Sequence, residues 1–98
     1  MHSNTYTALA RWADETSEVI VATYESRVKF AANTVTEAVL ILHDPDRGGR
    51  GYSVMVVQYP TRDTISQEEV REVRAARREP LGHALTRFNE ITRSMVVG

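Results

Sequence analysis

Alternation of apolar and polar residues in the middle of the chain predicts a β-sheet. In RVKFA, Val28 and Phe30 alternate with Arg27 and Lys29, as in a strand with one buried face. The preceding EVIVATY is rich in β-branched residues, and the short YES segment could turn it back onto RVKFA. GYSVMVVQYP is typical of a further strand, which Pro60 ends. Together, these segments predict three strands of a sheet.

The segment TEAVLIL supports two interpretations. Thr34 and Glu37 have the spacing of a capping box, which occurs at helix starts. Val35, Val39 and Leu42 would then share one face of a helix. As a strand, the same run would pair with SVMVV, and its short length favours this pairing. We predict a strand over residues 34–43 and keep the helix as the alternative.

The strongest helix signal lies in TISQEEVREVRAARREP. Ser66 and Glu69 have capping-box spacing, in which each side chain satisfies a backbone N–H group at the helix start. Acidic residues occupy the first turn and arginines the last turn, as the helix dipole favours. Pro80 ends the segment, so a helix is predicted over residues 67–78. Its apolar stripe is short and consists of Val70, Val73 and Ala76.

Two further helices are predicted near the ends of the chain. Pro80 can open a helix over residues 80–95. Its apolar residues share one face: Leu81, Ala84, Leu85, Phe88, Ile91 and Met95. In TYTALARWAD, helical spacing of Tyr6, Leu9 and Ala13 indicates a short helix. The order α-β-β-β-β-α-α predicts one α+β domain over residues 1–98, with a mainly antiparallel sheet of about four strands and the helices packed on one face.

Two predicted strands are apolar on both faces. Residues 54–57 and 39–42 show no polar alternation, whereas a half-exposed sheet would carry polar residues on one side. We therefore expect both faces to be covered here. A second copy of the chain or another protein would close the face that the helices leave open, so a homodimer is expected.

Composition narrows the classes of protein to consider. The chain has 98 residues, enough for one domain, and its net charge of −1 gives no overall attraction to nucleic acid or acidic membranes. The absence of cysteine excludes disulfides and thiolate chemistry. The N-terminus lacks signal-peptide features and no apolar run is long enough to span a membrane, so a cytoplasmic protein with no membrane partner is expected.

The segment HDPDRGGRG lies between two apolar runs. Its glycines precede a strand instead of a helix, and neither the Walker nor the dinucleotide pattern is present. His43, Asp44 and Asp46 are too closely spaced for a calcium loop, so no metal or cofactor is predicted. Asp, Pro and Gly suit a tight connection between strands, which is the favoured interpretation. In the alternative, Arg47 and Arg50 contact an anion or a partner.

Arginines are concentrated in REVRAARR. On the predicted helix, Arg71, Arg74 and Arg78 would line one face at i, i+3 and i+7. Such a stripe could bind phosphates or an acidic protein surface through bidentate contacts. The alternative is a solvated face on which the arginines pair with neighbouring glutamates.

No constellation in the sequence supports catalysis. There is no nucleophile elbow, and His83 has no partner in sequence that would make it a general base. We predict a small non-enzymatic protein-interaction domain, such as a regulator, inhibitor or accessory factor of the kind found in phages and mobile elements. Its predicted contact residues are Arg47, Arg50, Arg71, Arg74 and Arg78. The alternatives are a nucleic-acid-binding module that uses the helix over residues 67–78 and a small oligomeric enzyme with an interface pocket.

Overall fold

The computed structural model describes residues 3–30 and 33–97. Its strands and α-helices follow the order β1 (Ser3–Asn4), α1 (Thr5–Asp14), β2 (Val19–Phe30), β3 (Asn33–His43), β4 (Tyr52–Pro60), β5 (Thr64–Ile65), β6 (Arg71–Glu79) and α2 (Leu81–Val97). Short 3-10 segments span Pro45–Arg50 and Gln67–Glu69. An antiparallel sheet has the order β2-β3-β4-β6, and β1 pairs with β5. The predicted α+β fold with a four-stranded antiparallel sheet is confirmed.

Strands β2 and β3 form the longest pair in the sheet. EVIVATY and RVKFA were predicted as two strands, but they are one strand, because the YES segment contains no residue that enforces a turn. Glu25 and Ser26 instead pair with Ala38 and Glu37 of β3. The strand prediction for residues 34–43 is confirmed, and the helix alternative is wrong. The predicted alternation at Val28 and Phe30 lies outside the described side chains.

The predicted helix over residues 67–78 is wrong. The capping box is present, and the Ser66 N–H donates to Glu69 Oε1 at 3.0 Å, but it caps a single 3-10 turn. Val70 is already extended, with φ −80° and ψ 121°, and β6 follows. As a strand, β6 satisfies the backbone of β4 along its buried stretch, with Met55 opposite Ala75. A helix would leave that edge unpaired, and its narrow apolar stripe could not compensate.

The two α-helices lie on opposite faces of the sheet, whereas the sequence predicted them on one face. Leu40 and Leu42 of β3 pack in a cluster with α1, whereas Val39 and Ile41 pack in a second cluster with α2. This arrangement explains why β3 and β4 are apolar on both sides. Both faces are therefore covered within one chain, which removes the reason that the sequence offered for a second copy.

Helix α2 packs against one face of the sheet through only some of its apolar side chains. Ala84 is buried, and the partly buried apolar side chains beside it are Phe88, Ile91 and Met95. Leu81 and Leu85 were expected in the core, but they are 40% and 45% exposed. No helix in the described part of the chain is long and apolar enough to cross a membrane.

Candidate functional site

A polar cleft of about 310 Å³ lies at the end of the sheet where β2 and β4 begin. Three segments border it: the turn between α1 and β2, the loop between β3 and β4, and the end of β6. The side chains that define its chemistry are Glu18, Asp44, Arg47, Ser53, Arg77 and Arg78. We call this site the arginine cleft.

The turn between α1 and β2 supplies a buried carboxylate. The N–H of Ser17, whose φ is 60°, donates to the Asp14 carbonyl at 2.9 Å and closes the helix end. Glu18 follows and is only 7% exposed. The Thr16 hydroxyl donates to Glu18 Oε1 at 2.6 Å, so this carboxylate is held by a short hydrogen bond within the turn.

The loop between β3 and β4 supplies Arg47. HDPDRGGRG joins these two strands, as its Asp, Pro and Gly residues predict, and a contact of Arg47 or Arg50 with a partner stays a prediction. Asp44 accepts a hydrogen bond from the Asp46 N–H at 3.0 Å, and its other carboxylate oxygen lies 3.3 Å from Arg47 Nε. Gly48 has a φ of 57°, which suits glycine. At Gly51, a β-carbon would approach the Asp44 carbonyl oxygen to 2.6 Å. The loop conformation therefore depends on two of its glycines.

The end of β6 supplies the other two arginines. Arg77 Nη2 lies 2.8 Å from Glu72 Oε1, and its Nη1 lies 3.8 Å from Glu18 Oε1. The register of β6 against β4 shifts between Tyr52 and Val54, so the strand is irregular here. Arg78 has a φ of 62°, an uncommon value for a residue with a β-carbon.

Positive φ angles occur around this cleft in all three bordering segments. The described residues with positive φ are Ser17, Gly48 and Arg78. Ser17 lies between two residues that line the cleft, Gly48 lies in the loop that supplies Arg47, and Arg78 lines the cleft itself. Unusual backbone conformations often concentrate where a structure positions functional side chains. The cleft is accordingly the part of the described chain where such conformations converge.

The charges around the cleft are equal in number but unevenly paired. Arg47 is paired with Asp44, and Arg77 is placed between Glu72 and Glu18. Among the described residues, the Arg78 guanidinium has no ion-pair partner. Its exposed side chain therefore remains available to an anion.

The five arginines predicted as contacts do not form one surface. Arg47 and Arg78 meet in the cleft, and Arg50 is exposed in the loop without lining it. Arg71 and Arg74 lie opposite Gln58 and Val56, on the α2 side of the sheet. The predicted helical stripe is therefore absent.

Sequence reasoning missed three residues of the cleft, namely Arg77, Glu18 and Ser53. Glu18 lies 59 positions before Arg77 in the sequence, and no local motif links them. Only the pairing of β4 with β6 brings Ser53 near the end of β6.

Within the described residues, no group of three histidine, aspartate or glutamate side chains converges as metal ligands would. No protein-family model, curated protein or solved structure matches the chain. Its function is therefore inferred from the chemistry of the arginine cleft.

Proposed function

We propose that this protein is a non-catalytic binding domain that recognises an acidic segment of a partner protein at the arginine cleft. The supporting observation is the convergence of Arg47, Arg77 and Arg78 from two separate segments, with the Arg78 guanidinium left without an ion-pair partner among the described residues. A guanidinium binds a carboxylate through two parallel hydrogen bonds, so an Asp or Glu side chain of the partner suits this position. A regulator, inhibitor or accessory factor would use such a surface.

A protein partner fits the cleft better than nucleic acid does. Glu18 and Asp44 line the same cleft and repel any additional anion, so the cleft suits one carboxylate beside Arg78 better than the successive phosphates of a nucleic-acid backbone. Nucleic-acid binding relies on many phosphate contacts along a continuous basic surface. Because Arg71 and Arg74 lie on the α2 side of the sheet, they cannot extend the cleft into such a surface. The nucleic-acid alternative loses the helical stripe on which it was based.

Catalysis is a weaker interpretation of the same residues. The Glu18 carboxylate accepts a hydrogen bond from Thr16 and lies near Arg77, an arrangement that holds a side chain in place. No histidine lines the cleft. The residues around it therefore favour recognition of a charged group over proton transfer.

A selection from a random peptide library would test the proposal, because it requires no assumption about the sequence of the partner. We expect the enriched peptides to contain Asp or Glu at a recurrent position. Isotope-labelled protein titrated with such a peptide should then show NMR shifts of backbone amides in residues 16–18, 44–51 and 77–78.

Two charge-reversal variants provide a matched comparison for this experiment. Arg78→Glu should weaken peptide binding at least about tenfold, because an attractive charge pair in the cleft is replaced by repulsion. Arg71→Glu makes the same change in the same strand on the α2 side, and it should leave the affinity within about twofold. Equal losses in both variants, or peptides without acidic residues, would contradict the proposal. Salt-dependent binding of a short DNA duplex at the same site would favour the nucleic-acid alternative.

A further inference from the structure

The two edges of the sheet differ in how well they resist pairing with another strand. The edge strand β6 has two register shifts against β4, and Arg78 distorts its end. Its side chains are mostly exposed and charged. Bulges and charges are features by which natural edge strands avoid pairing with a further strand.

The opposite edge, β2, lacks these irregularities over most of its length. Its register against β3 shifts only between Ile20 and Ala22, and residues 22–30 then pair without interruption. Nine residues of regular strand are about 30 Å long. Because β2 is the outermost strand, one side of its backbone hydrogen-bonding groups has no strand to pair with in the described chain.

Two exposed residues on this edge carry opposite charges. Glu25 and Arg27 are two positions apart, so they lie on the same face of the sheet. They pair with Ala38 and Thr36 of β3, on the α1 side. Neither forms an ion pair with another described residue. Burial raises the pKa of the Tyr59 hydroxyl, and the Glu25 carboxylate lies close enough to that hydroxyl to raise this pKa further. Arg27 can therefore meet a complementary strand directly, whereas Glu25 would turn from Tyr59 towards Arg27 of the other copy.

We propose that β2 is a self-association surface, on which two copies of the chain pair their β2 strands antiparallel about a two-fold axis at Ser26. In this register, Glu25 of each chain lies opposite Arg27 of the other, so the symmetry produces two ion pairs. The resulting sheet has eight strands, with β6 at both outer edges. This inference goes beyond the proposed function, because it concerns the edge opposite β6.

Charge complementarity selects this register over its neighbours. A two-fold axis perpendicular to the sheet leaves each residue on its own face of the sheet. The register of the two β2 strands can therefore shift only by steps that keep paired residues on the same face. Centring the pair on Glu25 would place two glutamates opposite each other, and centring it on Arg27 would do the same with two arginines. Like charges directly opposite each other destabilise a strand pair. Of these three registers, only the one centred on Ser26 places opposite charges across from each other.

The structure leaves space for the second strand. Thr23, Glu25 and Arg27 are exposed on the α1 side, and Tyr24 and Ser26 are only partly buried on the other side.

Sedimentation velocity on the full chain tests the proposal. The wild type should be a dimer at about 100 µM, since dimer population depends on protomer concentration. Glu25→Arg places the introduced arginine opposite Arg27 of the other copy, and Arg27→Glu places the introduced glutamate opposite Glu25. Each variant should weaken the dimer at least about tenfold in Kd, because two attractive pairs become repulsive. The double variant Glu25→Arg/Arg27→Glu restores opposite charges and should dimerise as the wild type does.

Mixing the two single variants gives the most specific result. Each should be monomeric alone, whereas an equimolar mixture should form a heterodimer, because the Glu25→Arg chain presents two arginines and the Arg27→Glu chain two glutamates. Circular dichroism of each variant confirms folding, and if one single variant does not fold, the other single variant and the double variant carry the test. A monomeric wild type at this concentration, single variants that dimerise normally, or a mixture that stays monomeric would each overturn the proposal.

Discussion

The backbone N–H of Arg78 donates a hydrogen bond to the buried Ser53 hydroxyl at 3.3 Å, while the φ angle of Arg78 is 62°. For a residue with a β-carbon, this left-handed conformation costs about 1 to 2 kcal/mol. The contact with Ser53 helps to hold the end of β6 in that conformation. The strained residue also lines the arginine cleft, and its guanidinium has no ion-pair partner among the described residues.

Replacing Arg78 with glycine should therefore stabilise the fold and weaken binding. Glycine adopts positive φ without strain, and this gain exceeds its extra entropy in the unfolded chain. We expect Arg78→Gly to raise the free energy of unfolding by about 0.5 kcal/mol, measured by urea denaturation. Arg74→Gly is the control in the same strand, and it should lower that free energy by about 0.5 to 1 kcal/mol. A loss of stability in both variants would show that Arg78 is not strained.

The glycines of the loop between β3 and β4 should respond unequally to substitution by alanine. At Gly51, the β-carbon would lie 2.6 Å from the Asp44 carbonyl oxygen and 2.8 Å from the Arg47 β-carbon, so the backbone must shift. Gly51→Ala should cost about 1 to 3 kcal/mol. Gly48→Ala should cost about 1 to 3 kcal/mol through its φ of 57° and ψ of −137°, a conformation that residues with a β-carbon rarely adopt, although nothing lies within 4 Å of the added carbon.

Gly49→Ala is the control for this series. Its β-carbon also meets nothing within 4 Å, and its φ is not positive. Its free energy of unfolding should stay the same or increase by a few tenths of a kcal/mol. Urea unfolding should show that Gly51→Ala and Gly48→Ala each destabilise the fold more than Gly49→Ala does. Equal effects at the three positions would contradict the loop conformation described above.

Glu79 and Arg87 join the end of β6 to α2 and should make part of the stability dependent on pH. Arg87 Nη2 and Nε lie 2.7 and 3.2 Å from the two carboxylate oxygens of Glu79. This hydrogen bonding to Arg87 holds the pKa of Glu79 below its usual value, with smaller electrostatic contributions from Arg87 and His83. Because the folded-state pKa is the lower one, the stabilisation is complete above the unfolded-state pKa. It is lost as the pH falls through the folded-state value.

The variant Arg87→Met keeps the apolar stem and removes the charge. At pH 7 it should unfold at a lower urea concentration than the wild type. The difference should shrink as the pH falls below about 4.3, the usual pKa of glutamate. Arg93→Met is the control on the same helix, since Arg93 is exposed and has no ion pair with another described residue. A difference at Arg87 that stays constant down to pH 2 would indicate lost packing instead of a lost ion pair.

Elements whose hydrophobic pattern is local could be predicted from the sequence. The helical spacing in TYTALARWAD gave α1, and the unbroken apolar runs around Leu40 and Met55 gave β3 and β4. The Asp, Pro and Gly residues between these strands indicated their connection. In each case, the residues that decide the structure are neighbours in sequence.

The arginine cleft and β6 could not be predicted in this way, because their structure depends on distant residues. The local signals over residues 66–79 favour a helix, and the pairing of Ala75 and Ala76 with β4 overrides them. The same pairing brings Arg77 near Glu18 and Arg78 near Ser53. Because the sequence predicted a helix for this segment, it also predicted a stripe of arginines that the fold does not contain.

An isolated peptide of residues 66–80 should reveal the helical preference that the fold overrides. Without β4 as a partner, the capping box of Ser66 and Glu69 can start a helix, and charges along the peptide match the helix dipole. Isolated helices of this length are marginal in water. We therefore expect weak far-UV circular dichroism minima near 208 and 222 nm that deepen strongly in trifluoroethanol.

A control peptide with Ser66→Ala and Glu69→Ala should be less helical under the same conditions, because it lacks the capping box. If neither peptide becomes helical in trifluoroethanol, the segment has no preference for the fold to override. The extended conformation of β6 would then be local in origin. If the preference is present, pairing with β4 must supply the free energy that converts the segment to a strand. Substitutions that weaken this pairing, such as Ala76→Gly, should then loosen the cleft arginines before they unfold the core.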